Sequence, residues 1–199
     1  MKRLSASRSA VLLASLVLAA TPPAIAQDKV EMNVLQGALP ERPFTVIYPN
    51  ILEVVDDGSD VTVLTLRHPD AVMQCDALVQ DGAGADWSAE KALETLDVNG
   101  IVATWAPDFP GFKVTGQSLT RFQSGPALMF EAESESSPLG VPLKIVHAEA
   151  TDGGRFYALE CLVERGAAND ARPMVDFIIA NFSTRSDGTC CVDPADPRG

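Results

Sequence analysis

The sequence predicts an α+β domain, built on an antiparallel β-sheet with helices on both faces. From residue 44 onward, short β-rich runs alternate with turn residues. Two helix-like segments interrupt and close this series, and apolar residues occur on both faces of the later strands. An apolar fraction of 46% with 21% charged residues is typical of a globular chain and excludes a disordered one.

The N-terminal segment is predicted to be a signal peptide. It combines a basic start, an apolar run at residues 10–20 and the small-residue pattern Ala-Ile-Ala at residues 24–26. That run is shorter than the roughly 20 residues needed to span a bilayer, so we expect cleavage after Ala26 rather than an uncleaved anchor. Cleavage removes three basic residues and no acidic ones, which takes the formal charge from -12 to -15. The mature chain is therefore expected in the periplasm or secreted.

The mature chain divides into three parts. Residues 27–42 are a polar lead-in segment, residues 43–184 form a single sandwich domain, and residues 185–199 form a flexible tail that contains cysteines. A strongly acidic chain is repelled by polyanions, so nucleic acid is excluded as a partner. No apolar stretch of spanning length follows the leader, so no integral membrane span is expected after cleavage.

Each element of the domain has its own local signal. The β-rich runs lie at residues 44–48, 51–55, 61–67, 72–80, 112–122, 126–135, 141–150 and 155–164. A helix capped by Asp86 or Ser88 and limited by Pro107 separates the fourth run from the fifth, with Trp87 and Trp105 anchoring it to the core. A second helix covers residues 169–182, because its apolar residues recur on one stripe.

The four cysteines are expected to form structural disulfides. They are Cys75, Cys161, Cys190 and Cys191, and an even number in an exported chain favours bridges, with three pairings open. A bridge between Cys75 and Cys161 would close a long loop and stabilise the fold by about 4 kcal/mol. The adjacent pair would then form a vicinal disulfide or pair with another chain. A redox or zinc site is disfavoured, because no CxxC motif and no zinc spacing occur.

Turn signals predict the register of the last three strands. The Asp152-Gly153 turn would pair Ala150 with Arg155, and a five-residue loop would pair Glu135 with Val141. This register predicts one buried face, made of Leu128, Phe130, Val146, Ala148, Tyr157 and Leu159, with Cys161 at its end.

The opposite face carries the candidate site. The same register gathers Glu131, Glu149 and Glu160 around His147, with Glu133 and Glu135 nearby. Imidazole and carboxylates of this kind are able to bind a divalent cation, or to raise the pKa of a glutamate for general-base work. The alternative is a solvated or helix-covered face, and simple alternation of glutamate with apolar residues favours that alternative. The face also carries four apolar residues that indicate a covering helix, namely Leu143, Ile145, Phe156 and Leu162.

Known catalytic signatures do not occur in the chain. Gly-x-Ser-x-Gly, His-Glu-x-x-His and a phosphate-binding glycine loop are absent. A Ser-His-Asp triad would have to use His68 or His147, and no serine on a strand-to-helix elbow accompanies either. The acidic turn at residues 56–60 lacks the ligand order of a calcium loop. No catalytic residue and no cofactor are therefore predicted.

Three segments resemble the PsbP-like family, whose members share the fold of the Mog-type Ran-binding proteins. The run FTVIYP at residues 44–49 is similar to the family's opening strand, YALEC at 157–161 to its last strand, and FIIANF at 177–182 to the close of its final helix. The resemblance spans residues 44–183. It implies an α/β/α sandwich with an antiparallel sheet, and a binding or accessory role without catalysis.

Sequence and resemblance together lead to one functional hypothesis and two alternatives. We expect an exported, non-enzymatic binding or assembly protein of the bacterial envelope, with a protein partner there. The first alternative is a divalent-cation-dependent factor or hydrolase that uses the His147 face. The second is a secreted host-interaction protein, which a signal peptide permits equally.

Overall fold

The computed structural model describes residues 30–37, 41–55, 61–84 and 86–192. The predicted signal peptide, the acidic turn at 56–60 and the end of the tail lie outside the described residues. In chain order the elements are β1 (Met32–Gln36), β2 (Thr45–Pro49), β3 (Glu53–Val55), β4 (Thr62–Arg67), β5 (Met73–Asp81), α1 (Ala89–Glu94), α2 (Val98–Trp105), β6 (Lys113–Phe122), β7 (Gly125–Ser134), β8 (Leu143–Asp152), β9 (Arg155–Glu164), a 3-10 turn (Arg165–Ala167), α3 (Ala168–Ala180) and β10 (Phe182–Ser183).

The strands form two antiparallel sheets. The larger has seven strands in the order β3-β4-β5-β9-β8-β7-β6, and the smaller has three in the order β1-β2-β10. The central pairing of β5 with β9 joins segments that are distant in the chain. The meander from β6 to β9 then continues the sheet on one side, while β4 and β3 continue it on the other. The predicted antiparallel α+β class is confirmed.

Helices cover both faces of the seven-stranded sheet. On the face that carries Val146, Ala148 and Leu159, called here the α3 face, α3 and the small sheet complete the larger core. On the opposite face, called the α2 face, Trp105 of α2 packs against Phe130 and their neighbours in a second cluster. Alternation along each strand sends successive side chains to the two clusters, as expected for a sheet buried on both sides. The predicted two-sided covering is confirmed.

One disulfide links the two central strands. Cys75 on β5 lies directly opposite Cys161 on β9, with 4.1 Å between their Cα atoms. Both residues are buried in the larger core, at 1% and 0% exposure. Cys190 is bonded to Cys191 as a vicinal pair. Of the three open pairings, the structure has the one that joins the distant cysteines to each other.

The predicted register of the last hairpin is wrong by two positions. Asp152, not Ala150, lies opposite Arg155, and the turn is centred on Gly153 and Gly154. These glycines have φ values of 57° and 77°, the left-handed conformation that both central residues of a tight hairpin turn require. A shift of two positions leaves each side chain of β8 and β9 on its predicted face.

The predicted register between β7 and β8 is wrong by one position, and this error matters for the site. Phe130 lies opposite His147 rather than Val146, and Ser134 lies opposite Leu143, so the connecting loop runs from residue 135 to 142. A one-residue offset exchanges the two faces of a strand. Phe130 therefore shares the α2 face with His147, whereas Glu131 points to the α3 face.

Two further elements differ from the expectation, and one alternative that the sequence left open is decided. The first predicted helix is two helices, because α1 ends at Glu94 and Asp97 caps α2, its side chain accepting a bond from the Gly100 amide at 3.0 Å. Ser88, rather than Asp86, caps α1. The lead-in segment contributes strand β1, which pairs with β2.

The described part of the tail is held to the domain by hydrogen bonds. The buried Asn181 donates to the Val192 carbonyl and accepts from the Val192 amide, and Gln123 makes the same two bonds with Thr189. These bonds connect Thr189 and Val192 of the described tail to Gln123 and to Asn181 at the end of α3.

Candidate functional site: two ionic clusters on opposite faces of the sheet

His147 lies in the middle of the α2 face, on β8. Its exposure is 6%, because Phe130 stacks on the imidazole at 4.6 Å and Trp105 meets it edge-on at 6.3 Å. Phe130 is its direct cross-strand partner, and Trp105 lies in the last turn of α2. Pairing and helix packing together enclose the ring.

Two glutamates bind the two nitrogens of this ring. Glu160 lies directly across on β9 and accepts from Nδ1 at 3.1 Å, while Glu149 lies two residues along β8 and accepts from Nε2 at 2.9 Å. Burial alone would lower the pKa of His147, but the hydrogen bonds and charges of Glu149 and Glu160 outweigh it and raise the pKa to about 9. At neutral pH the ring is an imidazolium that donates to both carboxylates.

The protonated state of His147 limits what its ring is able to bind. A protonated imidazole with both N–H groups donated has no lone pair for a metal ion or for a substrate proton. In the described part of the chain, no group of three or more His, Cys, Asp or Glu side chains is arranged to hold a metal ion. The cluster of His147, Glu149 and Glu160, called here the His147 triad, has the geometry of a structural ion pair.

Glu131, the fourth sequence candidate, lies on the other side of the sheet. Arg172 of α3 donates from Nη1 to its Oε1 at 2.7 Å, and the Lys144 ammonium lies 3.0 Å from its Oε2. Burial alone would raise the pKa of Glu131, but hydrogen bonds and charges from Arg172 and Lys144 lower it below its usual value. The sequence candidates are therefore divided between two separate ionic clusters.

The cluster around Glu131 borders a cleft of about 290 Å³ between α3 and the ends of β7, β8 and β9. We call it the α3 cleft; its lining residues are Glu131, Glu133, Lys144, Val146, Val163, Arg165, Ala168, Asn169, Arg172 and Val175. Three valines from two strands and the helix provide an apolar surface, and charged side chains surround it. Sequence reasoning missed this cleft, although the basic pair at residues 165 and 172 near the start of the last helix was a usable signal.

No protein-family model matches the chain, and no curated protein sequence matches it. Solved structures do match its fold. Cyanobacterial PsbP from Synechocystis sp. PCC 6803 aligns with a TM-score of 0.57 at 10% identity, covering 79% of this chain and 95% of its own. LpqN of Mycobacterium tuberculosis, involved in cell envelope biogenesis, aligns at 0.53 and 13% identity, covering 78% and 91%. The Saccharomyces cerevisiae Ran-binding protein Mog1p aligns at 0.50 and 8% identity, covering 77% and 96%.

The chain therefore has the PsbP-like fold, as the resemblance implied. Across the described residues, no helix combines the length and the apolar character needed to cross a membrane.

Proposed function

We propose that this chain is an exported, non-enzymatic binding or accessory protein of the bacterial envelope. The observation that carries the proposal is the state of His147. Its imidazolium is enclosed by aromatic rings and satisfied by two carboxylates, so it offers neither a free base nor a metal ligand. A sheet face built in this way stabilises a scaffold, and a scaffold is what a binding protein presents to its partner.

The fold supports the same role. LpqN is involved in cell envelope biogenesis and Mog1p is a Ran-binding protein, so proteins of this fold include one with an envelope role and one with a binding role. A fold hosts many functions, so this support counts only beside the geometry of the site.

Export is supported by the predicted signal peptide and by the buried disulfide. Bridges such as Cys75–Cys161 persist in oxidising compartments, of which the bacterial periplasm is one. The acidic mature chain also agrees with a protein partner rather than a nucleic acid.

The test expresses the full chain, tagged after Gly199, in a bacterial host and measures its cellular fraction, its N-terminus and the proteins that co-purify with it. We expect a mature form that begins at Gln27 in the periplasmic fraction, and a stoichiometric envelope protein that co-purifies with it after mild cross-linking. The matched control lacks residues 1–26 and should stay in the cytosol without that partner. Retention of the full chain in the cytosol would contradict the proposal. So would turnover on ester or peptide substrates that His147→Gln abolishes.

The cation-dependent alternative has its own test. Calorimetric titration of calcium, manganese and zinc should give no saturable heat that depends on His147, because its ring nitrogens are both protonated at neutral pH. Saturable heat lost in His147→Ala would favour that alternative.

A further inference from the structure

We propose that the α3 cleft binds an organic carboxylate that carries a short, branched apolar group. This inference narrows the proposed binding role to one class of ligand and so rests on that role. It is carried by the unpaired cationic donors, the local charge and the apolar surface of the cleft.

The first step is the supply of hydrogen-bond donors. Arg172 has five N–H groups; Nε donates to Asp176 and Nη1 to Glu131, both at 2.7 Å, while Nη2 has no partner within the described ranges. The guanidinium of Arg165 likewise has no hydrogen bond or ion pair to the described part of the chain. A guanidinium fork matches a carboxylate in geometry and charge, so two such groups at one cleft favour an anionic ligand of this shape.

The second step is the role of Glu131. Its carboxylate is held between Arg172 and Lys144. Lys144 also donates to the Thr115 hydroxyl at 3.0 Å, and its ammonium lies 4.0 Å from Oε1 of Glu133. Glu131 thus fixes both cations in place and leaves Nη2 of Arg172 free to donate. It acts as a positioning residue for the guanidinium.

The third step is local charge. Lys144, Arg165 and Arg172 bring three positive charges to the cleft, and Glu131, Glu133 and the neighbouring Asp176 bring three negative ones, so the cleft is locally balanced in a mature chain that is otherwise strongly acidic. Salt at about 0.15 M screens charges beyond roughly 8 Å, so the acidic residues elsewhere in the chain contribute little to what a small anion experiences there. The N-cap of α3 is Ala167, which has no side-chain acceptor for the first turn, and Asp170 is the acidic residue of that turn.

The fourth step is the apolar surface. Val146, Val163 and Val175 form the floor of the cleft from β8, β9 and α3, with exposures of 3%, 3% and 1%. A volume of about 290 Å³ lies near the lower limit of small-molecule pockets, about 300 Å³. One branched side chain of leucine size, joined to one carboxylate, fits this combination.

The experiment titrates the purified mature chain, at neutral pH and about 0.15 M salt, with four probes. Leucine and N-acetyl-leucine have a free carboxylate, whereas leucinamide and N-acetyl-leucinamide do not. We expect saturable binding of N-acetyl-leucine, with backbone amide shifts confined to the cleft in NMR spectra, and no such binding of the two amides. A tetrapeptide that ends in leucine, with a free or an amidated C-terminus, distinguishes a chain terminus from a small free acid as the source.

Two charge-matched variants complete the test. Arg165→Gln should weaken N-acetyl-leucine binding by roughly tenfold or more, because it removes a charge-assisted hydrogen bond from an exposed side chain. Arg121→Gln removes the same charge from an exposed position on β6, outside the cleft, and should leave the affinity unchanged.

Equal binding of acid and amide would overturn the inference, as would equal affinity of the two variants or no binding of any acid. Each of these results concerns the ligand class alone. Recovery of a partner from the periplasm would still stand, so failure here is distinguishable from failure of the proposed function.

Discussion

The His147 triad should make the stability of the fold depend on pH between about 6.5 and 9. The pKa of His147 is 6.5 in an unperturbed chain and is raised to about 9 in the folded protein. A raised folded-state pKa adds stability that is fully present below the unfolded pKa and is lost as the pH rises through the folded one. At 1.36 kcal/mol for each pKa unit, this stability amounts to about 3 kcal/mol.

The substitution His147→Gln removes the titrating group and keeps a side chain of similar length. Near pH 6 it should lower the free energy of unfolding by about 3 kcal/mol or more, because Glu149 and Glu160 are then left partly buried without a cation. Above about pH 9 the wild-type ring is also neutral, so the difference between the two proteins should shrink. Asp76 lies opposite Glu160 on β5 and remains in both proteins, where its carboxylate accepts from Thr65 and Gln74.

The assay is urea unfolding, followed by tryptophan fluorescence at several pH values from about 6 to 9.5. His68→Gln is the matched control, because His68 lies in a turn before β5, where its Nδ1 accepts from the Asp70 amide. That control should follow the wild-type pH dependence. A wild-type stability that does not fall between pH 6.5 and 9 would refute the reasoning. The same slope in His147→Gln as in the wild type would refute it equally.

Three further predictions concern other parts of the structure. Replacing both Cys75 and Cys161 by alanine should lower the free energy of unfolding, measured in urea, by about 4 kcal/mol, because the bridge closes a loop with a sequence separation of 86. An unchanged urea midpoint would show that the bridge contributes nothing to stability. Glu131→Gln should lower the free energy of unfolding by about 1 kcal/mol at neutral pH. Because the pKa of Glu131 is lowered in the folded protein, this difference from the wild type should disappear as the pH falls through and below that pKa. A difference that stays constant with pH would count against an ionic origin. Asn181→Ala removes both hydrogen bonds to Val192, so limited proteolysis should cut residues 185–192 faster than in the wild type. Arg121→Gln, at an exposed position on β6, is the neutral control.

The strands and the two-sided core could be predicted because their signals are local. Alternation along residues 72–80 places Cys75 inward, and the structure has it buried at 1% exposure. Apolar residues on the second face, such as Ile145 and Leu162, indicated a covering helix, and α2 supplies it. These predictions needed only the sequence within one strand.

The pairing of strands depends on loops, and there the sequence was insufficient. Two glycines follow Asp152, so a tight turn has two alternative centres, and the structure uses Gly153 and Gly154. The loop after β7 contains Pro138 and Gly140 but no two-residue turn signal, so nothing local fixes where Ser134 meets Leu143. The strand β1 was missed although Val30, Met32 and Val34 alternate with polar residues. These apolar side chains are exposed, so the strand is defined by its pairing with β2 and not by burial.

Three of the four candidate site residues lie on the face that the sequence predicts, and the fourth does not, because the faces depend on strand pairing. His147, Glu149 and Glu160 depend on β8 and β9, whose predicted faces survive a two-residue shift. Glu131 depends on β7, whose faces are exchanged by a one-residue shift, so it joins Arg172 instead. That the histidine is protonated follows from the hydrogen bonds and charges of Glu149 and Glu160, which outweigh the effect of burial, and this balance of terms depends on the three-dimensional surroundings of the ring.

Burial of the Cys75–Cys161 bridge also constrains when it is able to form. Oxidation requires that an external oxidant reach a thiolate, and in the folded protein both sulfur atoms lie in the core between the sheet and α3. A chain that completed its core while still reduced would shield its thiols from the oxidant and would have to open again before the bond is made. The order of events during folding is therefore set by the architecture: oxidation of the two thiols comes first, and closure of α3 over the sheet follows.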